Sequence, residues 1–225
     1  MENANLLLLS NSKNAGSAYL EHARNPVREI LGGAGKRIAF LPYAAVRFSF
    51  DKYESAVADA FPEHDIVSIH RADDARDVIV GADAIAVGGG NTFCLIHAMY
   101  ENELFHIIRD RVESGVPYSG WSAGSNVACP TVRTTNDMPI IETPSFRALD
   151  LVPFQINPHY LDAHPDAIST AGDSYGFSKQ CICAYVAQRA VPLVQKGIRM
   201  NALSPASTAT PMLEDFEKNV GKETL

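Results

Sequence analysis

Short apolar runs alternating with helical patterns constrain this chain most. Leu6–Leu9, Arg37–Leu41, Asp65–His70, Ala84–Val87 and Val116–Ser119 read as strands. Between them, Ala18–Leu31, Ser49–Phe61, Asp73–Val80, Thr92–Tyr100 and Leu104–Val112 carry helical patterns. Gly32-Gly33 marks the end of the first helix, and Asn91 is placed to cap the fourth by accepting from free N–H groups of its first turn. The strands are apolar at successive positions, as strands buried on both faces require. This pattern predicts an α/β fold of three layers, a mainly parallel sheet flanked by helices. After Pro130 the rhythm changes. Residues 131–154 are richer in Pro, Thr and Asp and read as loop with short strands, and Phe154–Asn157 is expected to be one of them.

The chain has 225 residues, enough for one well-cored domain and at most a small second one. Its net charge of −7 gives no basic surface for nucleic acid or an anionic membrane. Its apolar runs are far shorter than the roughly 20 residues of a membrane span. The start, Met1-Glu2-Asn3, lacks a basic segment followed by an apolar one, so a cytoplasmic protein is expected. The four cysteines, Cys94, Cys129, Cys181 and Cys183, form no C-x-x-C pair. They read as reduced thiols and not as a zinc site or disulfides.

Gly120-Trp121-Ser122-Ala123-Gly124 matches G-x-S-x-G between a predicted strand and a predicted helix, Ala123–Ala128. A sharp strand-to-helix turn lifts the serine hydroxyl above the sheet edge, and small neighbours let the backbone fold that tightly. Free N–H groups at the start of the helix favour developing negative charge, and the N–H of Ala123 is the natural oxyanion donor. A bare match of this kind also arises where a small-residue turn merely joins two elements. Gly88-Gly89-Gly90-Asn91 closes the preceding strand. Glycines there let backbone approach a ligand at the carboxyl edge of a parallel sheet. The loop lacks the Lys-Ser/Thr of a phosphate loop, so a second oxyanion donor, the N–H of Gly90, is its better use.

The serine needs a base. Among seven histidines, His159 follows Gln155-Ile156-Asn157-Pro158, where a turn-forming Asn-Pro can present it at a sheet edge. His22, His97 and His106 sit within helical patterns, His64 in a connecting turn and His70 at a strand end. Asp137 is a candidate acid to orient the base, or else a turn cap.

Together these pieces resemble the peptidase E family, dipeptidases acting on N-terminal aspartyl substrates. The matching stretches are Leu6–Ser12, Val87–Phe93, Gly120–Gly124, Cys129–Pro139 and Asp150–His159. They occur in family order and cover about three quarters of the chain. The resemblance implies Ser122 as nucleophile and His159 as base, an oxyanion site at Gly90 and Ala123, and an important acid in Asp137. No metal or organic cofactor is implied. The expected partner is a small peptide substrate, with self-association left open. Past about Pro165 the resemblance stops. A G-E-T-R-E-x-R-I-like segment, whose arginine suits an aspartyl side chain, is missing. So is a G-x-x-E-G-like stretch whose glutamate can complete a triad. The acid is thus either Asp137 or lost.

Residues 166–225 resemble instead the last third of short-chain dehydrogenases. Tyr175 and Lys179 form a Y-x-x-x-K pair, followed by Lys196-Gly197-Ile198-Arg199-Met200-Asn201-Ala202-Leu203-Ser204-Pro205. Two rivals follow: an NAD(P)-dependent oxidoreductase fragment using Tyr175 and Lys179, and an inactive relic. The first lacks a glycine-rich dinucleotide fingerprint. The domain reading is therefore a peptidase-like unit over 1–165 and a dehydrogenase-like fragment over 166–225. A fused or mis-assembled frame would make the tail pack poorly on the sheet.

Overall fold

The computed structural model describes residues 4–14 and 16–158, together with the backbone of 199–203. The strands are β1 (Asn5–Leu9), β2 (Arg37–Leu41), β3 (Asp65–Ser68), β4 (Ala84–Val87), β5 (Tyr118–Trp121) and β6 (Arg199–Leu203). The helices are α1 (Arg24–Leu31), α2 (Phe50–Ala60), α3 (Ala75–Val80), α4 (Thr92–Glu101), α5 (Leu104–Glu113) and α6 (Ala123–Asn126). The strands form one sheet in the order β3-β2-β4-β5-β1-β6. Every pairing is parallel. β6 runs beside β1 with Asn5 opposite Arg199 and Leu9 opposite Leu203.

Alternate strand residues feed two cores, as a two-residue period dictates. Leu6, Leu8, Ala39, Leu41, Ile85 and Val87 pack on one face with Ile79, Leu95, Met99, Ile108 and Val112. Leu7, Leu9, Ile38, Phe40, Ala84 and Ala86 pack on the other with Val27, Leu31, Tyr53 and Val57. The three-layer α/β expectation therefore holds, with strands covered on both sides and hence apolar at successive positions.

Several boundaries differ from the sequence reading. The first helix starts at Arg24, because Leu20 takes a left-handed φ of 53° and Glu21–Ala23 forms a 3₁₀ turn. Strand β3 stops at Ser68. The Ser68 N–H goes to the Glu54 carboxylate at 3.1 Å, and Ile69–Arg71 turn into a second 3₁₀ segment. Strand β5 begins at Tyr118, just past Pro117, which has no N–H for a ladder. Residues Phe154–Asn157 form no strand. The Ile156 N–H is bonded to Cys129 Sγ at 3.3 Å and its carbonyl accepts from the Thr134 hydroxyl, so side chains take the place of a ladder. In the 131–149 stretch a single antiparallel bridge joins Thr131 and Arg147.

Candidate active site

All six strands point the same way, so their carboxyl ends share one edge. At this edge the chain leaves β5 through the elbow. Ser122 has φ 53° and ψ −113°, a conformation that costs a non-glycine residue on the order of 1–3 kcal/mol. The turn is pinned from several sides. The Ser122 N–H donates to the Leu9 carbonyl at 3.0 Å. Ser125 Oγ lies 2.7 Å from that carbonyl and 2.8 Å from Gly120 O. The Tyr118 hydroxyl donates to Gly124 O at 2.6 Å.

The small residues of the motif answer to measured crowding. A Cβ at Gly120 would stand 2.4 Å from Gly124 O, and one at Gly124 would stand 2.1 Å from Val87 O. Neither backbone contact can give way. The consequence is that Ser122 is exposed while Trp121 and Ala123 on either side are buried.

Helix α6 has four residues, ending at Asn126 and not at Ala128. So short a helix has a weak dipole, and its individual N–H groups matter more. Ser125 and Asn126 N–H both return to Ser122 O. Among the described residues nothing accepts from the N–H of Ala123, nor from that of Gly90. Gly90 is exposed and has φ 141°, and a Cβ there would meet Ala44 O at 2.1 Å. Only glycine fits this position. Gly89 lies against Ser122: a Cβ on it would sit 2.9 Å from Ser122 Cβ. The glycine loop and the turn at Ser122 are thus in van der Waals contact.

Asp137 is tied to the glycine loop. Its Oδ2 accepts from the Thr92 N–H at 2.7 Å and from the Thr135 hydroxyl at 3.2 Å. It therefore caps α4 alongside Asn91, whose Oδ1 accepts from the Cys94 N–H at 3.0 Å and whose Nδ2 donates to Met138 O at 2.8 Å. The capping role expected of Asn91 holds. Burial and the nearby Asp137 charge push the Cys94 thiol up, and burial pushes Cys129 up to about 12. Neither thiol is poised as a nucleophile.

His159, Tyr175 and Lys179 lie outside the described residues, as do Cys181 and Cys183. The chain is described up to Pro158, whose carbonyl accepts from Asn136 Nδ2 at 2.5 Å. The residue before His159 is thereby bonded to the residue before Asp137.

Two features were not expected from the sequence. The first is another Ser–His–Asp alignment, with Ser68 Oγ 2.6 Å from His70 Nδ1 and His70 Nε2 3.1 Å from Asp51 Oδ1. Ser68 is only 2% exposed, so no substrate carbonyl reaches it. Asp51, Glu54 and His70 could also offer ligands to a metal. The Arg71 guanidinium already meets both carboxylates, at 2.7 and 2.8 Å, so the group reads as an ion-pair network. The second is Tyr53 of α2, whose hydroxyl donates to Gly89 O at 3.0 Å and accepts from Trp121 Nε1 at 2.9 Å. In sequence it reads only as an inward-facing aromatic. Burial raises its pKa and keeps it a donor.

Comparison with known proteins identifies the family. The model of Peptidase family S51 matches residues 6–186. The match runs past the boundary read near 165 and takes in Tyr175 and Lys179. Peptidase E of Nostoc sp. is 52% identical over 160 residues, covering 70% of this chain and 66% of that protein. Peptidase E of Haemophilus influenzae (strain Rd) is 52% identical over 160 residues, covering 70% and 73%. The chain thus spans about two thirds of the length of such relatives. A solved structure of a peptidase E-type protein from Listeria monocytogenes EGD-e superposes with a TM-score of 0.56 at 21% identity, covering 89% of this chain and 90% of that one. At that identity the likeness speaks for the fold. With the family match spanning most of its length, the chain belongs to peptidase family S51.

Proposed function

We propose that the chain is a serine-type dipeptidase that cleaves small peptides with an N-terminal aspartyl residue, through an acyl-enzyme on Ser122. The observation that carries this reading is the exposed Ser122, held at φ 53° between buried neighbours and against Gly89. The curated relatives, each named peptidase E, support the dipeptidase reading.

In this mechanism Ser122 Oγ attacks the scissile carbonyl while His159 takes its proton. The N–H groups of Gly90 and Ala123 hold the oxyanion, each contributing several kcal/mol (on the order of 2.7–4) to the transition state. His159 then protonates the departing amine, and water activated by the same imidazole releases the acyl group. The Asn136–Pro158 hydrogen bond supports His159 as the base, because it ties the residue before His159 to the residue before Asp137. Both described bonds to Asp137 fall on Oδ2, which leaves Oδ1 for the imidazole. Asp137 thus both caps α4 and orients the base.

A fluorophosphonate tests the reading directly. Rapid labelling mapped to Ser122, lost in Ser122→Ala and in His159→Ala, is the expected outcome. Absence of labelling in the folded wild-type chain would refute it. Asp137→Asn is expected to lower turnover of aspartyl dipeptides at least about tenfold, by weakening the orientation of the base.

A further inference from the structure

We infer that Tyr53 is a positioning residue for the oxyanion site, holding the Gly89–Gly90 peptide so that the Gly90 N–H faces the reacting carbonyl. The inference rests on the hydrolase reading and deepens it. The Gly89 carbonyl and the Gly90 N–H belong to one peptide unit. All described peptides are trans, so within that plane the two groups point in opposite directions. Whatever holds the carbonyl on one side therefore sets the direction of the N–H on the other. The Tyr53 hydroxyl holds it, at 3.0 Å.

The proton assignments follow from the partners. A carbonyl only accepts and an indole N–H only donates. The Tyr53 proton is therefore committed to Gly89 O, while its oxygen receives the Trp121 Nε1 proton at 2.9 Å. The half-buried Tyr19 ring also stands edge-on to the Tyr53 ring, with centroids 6.4 Å apart. Trp121 immediately precedes the nucleophile. One hydroxyl thus joins the residue before Ser122 to the peptide that supplies the second oxyanion donor, fixing the spacing of the two halves.

The glycine loop gives this anchor little room to move. A Cβ at Gly88 would stand 2.7 Å from the Tyr53 hydroxyl oxygen, and the Gly88 N–H is tied to Leu41 O at 3.0 Å. The Tyr53 ring is itself clamped edge-on by Phe40 at 5.0 Å and Phe48 at 5.1 Å. The hydroxyl is only 3% exposed with its residue, so water does not readily replace it when it is removed. Without it, the Gly89 carbonyl loses its partner and the peptide is free to rotate, taking the Gly90 donor out of line.

Tyr53→Phe isolates this hydroxyl, because the ring contacts with Phe40 and Phe48 remain. The experiment compares wild type and variant on an aspartyl p-nitroanilide, with active sites counted by fluorophosphonate titration. The expected result is a kcat per titrated site lowered about tenfold or more, less than the loss of a whole oxyanion donor. KM should stay within about twofold and the pH profile should keep its shape, because the lost group does not titrate in the working range. A merely structural role would reduce the number of titratable sites and leave kcat per site unchanged, and that outcome overturns the inference. If Tyr53→Phe does not fold, Trp121→Phe carries the test. It removes the indole donor that orients the phenol while keeping a ring stacked on Phe40, and the same kcat-against-KM split is expected. A wild-type chain that neither turns over nor labels overturns the hydrolase reading itself. An active wild type with an equally active variant overturns only the role of Tyr53.

Discussion

At the scale of the residue, Ser122 holds a backbone conformation that is unfavourable for any side chain. The strain of about 1–3 kcal/mol is sustained by fixed hydrogen bonds to Leu9, Gly120 and Gly124. Ser122→Gly is therefore expected to stabilise the fold by about 1 kcal/mol, the relieved strain less roughly 0.5–1 kcal/mol of extra chain entropy. Ser122→Ala, which keeps a Cβ at φ 53°, should show no such gain. Urea midpoints of the two variants measure the difference, and both should be inactive. The residues of the elbow were legible in sequence because their reason is steric and local: Gly120 and Gly124 face each other four positions apart. Tyr53 was not legible. Its partners Gly89 and Trp121 lie 36 and 68 positions away, and a tyrosine on the inward face of a helix reads as core whether or not its hydroxyl has work to do.

At the scale of the element, the opposite edge of the sheet is held by paired turns. The Gly35 N–H donates to Glu63 O and the Asp65 N–H to Lys36 O, each at 2.9 Å. The Lys36 N–H donates to His64 Nδ1 at 3.3 Å. That nitrogen must therefore be unprotonated, and burial lowers the pKa of His64 below its ordinary value. In the unfolded chain the histidine titrates near 6.5. Between that value and the lower folded one the unfolded chain binds more protons, so stability falls as pH is lowered through this window. His64→Asn keeps an acceptor for the Lys36 N–H but does not titrate. The loss of urea midpoint between about pH 7.5 and about pH 5.5 should be smaller in this variant than in wild type. An equal loss in both would remove His64 as the cause. Helix boundaries were legible where a cap announces them, as with Ser49, whose hydroxyl accepts from the Lys52 N–H at 3.3 Å, and with Asn91. The start of α1 was missed because its periodic pattern continues through Leu20, where the backbone reverses sign.

At the scale of the whole molecule, the position of β6 matters most. The sequence led to the expectation of a tail foreign to the sheet. In the structure β6 pairs along all of β1, from Asn5 to Leu9. The Lys196–Pro205 stretch, read as dehydrogenase-like, thus contributes a strand to the peptidase sheet. Without it, the β1 backbone would present a row of unpaired N–H and C=O groups on a strand that is apolar from Leu6 to Leu9, which invites association. A chain ended at Ile198 is expected to self-associate more strongly in sedimentation velocity than the full chain. A truncated chain with the sedimentation behaviour of the full one would show that β6 does not protect this edge.

The sequence by itself determined the layered parallel fold, the two glycine-bearing turns and the place of Ser122 at the second of them. These depend on periodicity and on steric demands within a few residues. Only the tertiary structure decided that Gly89 touches Ser122, that Asp137 caps α4, that Tyr53 reaches the Gly89 carbonyl and that β6 closes the β1 edge. Each of these joins segments far apart in the chain. Strand order is set by which apolar faces can be buried together, a global condition that leaves no mark on any single stretch of residues.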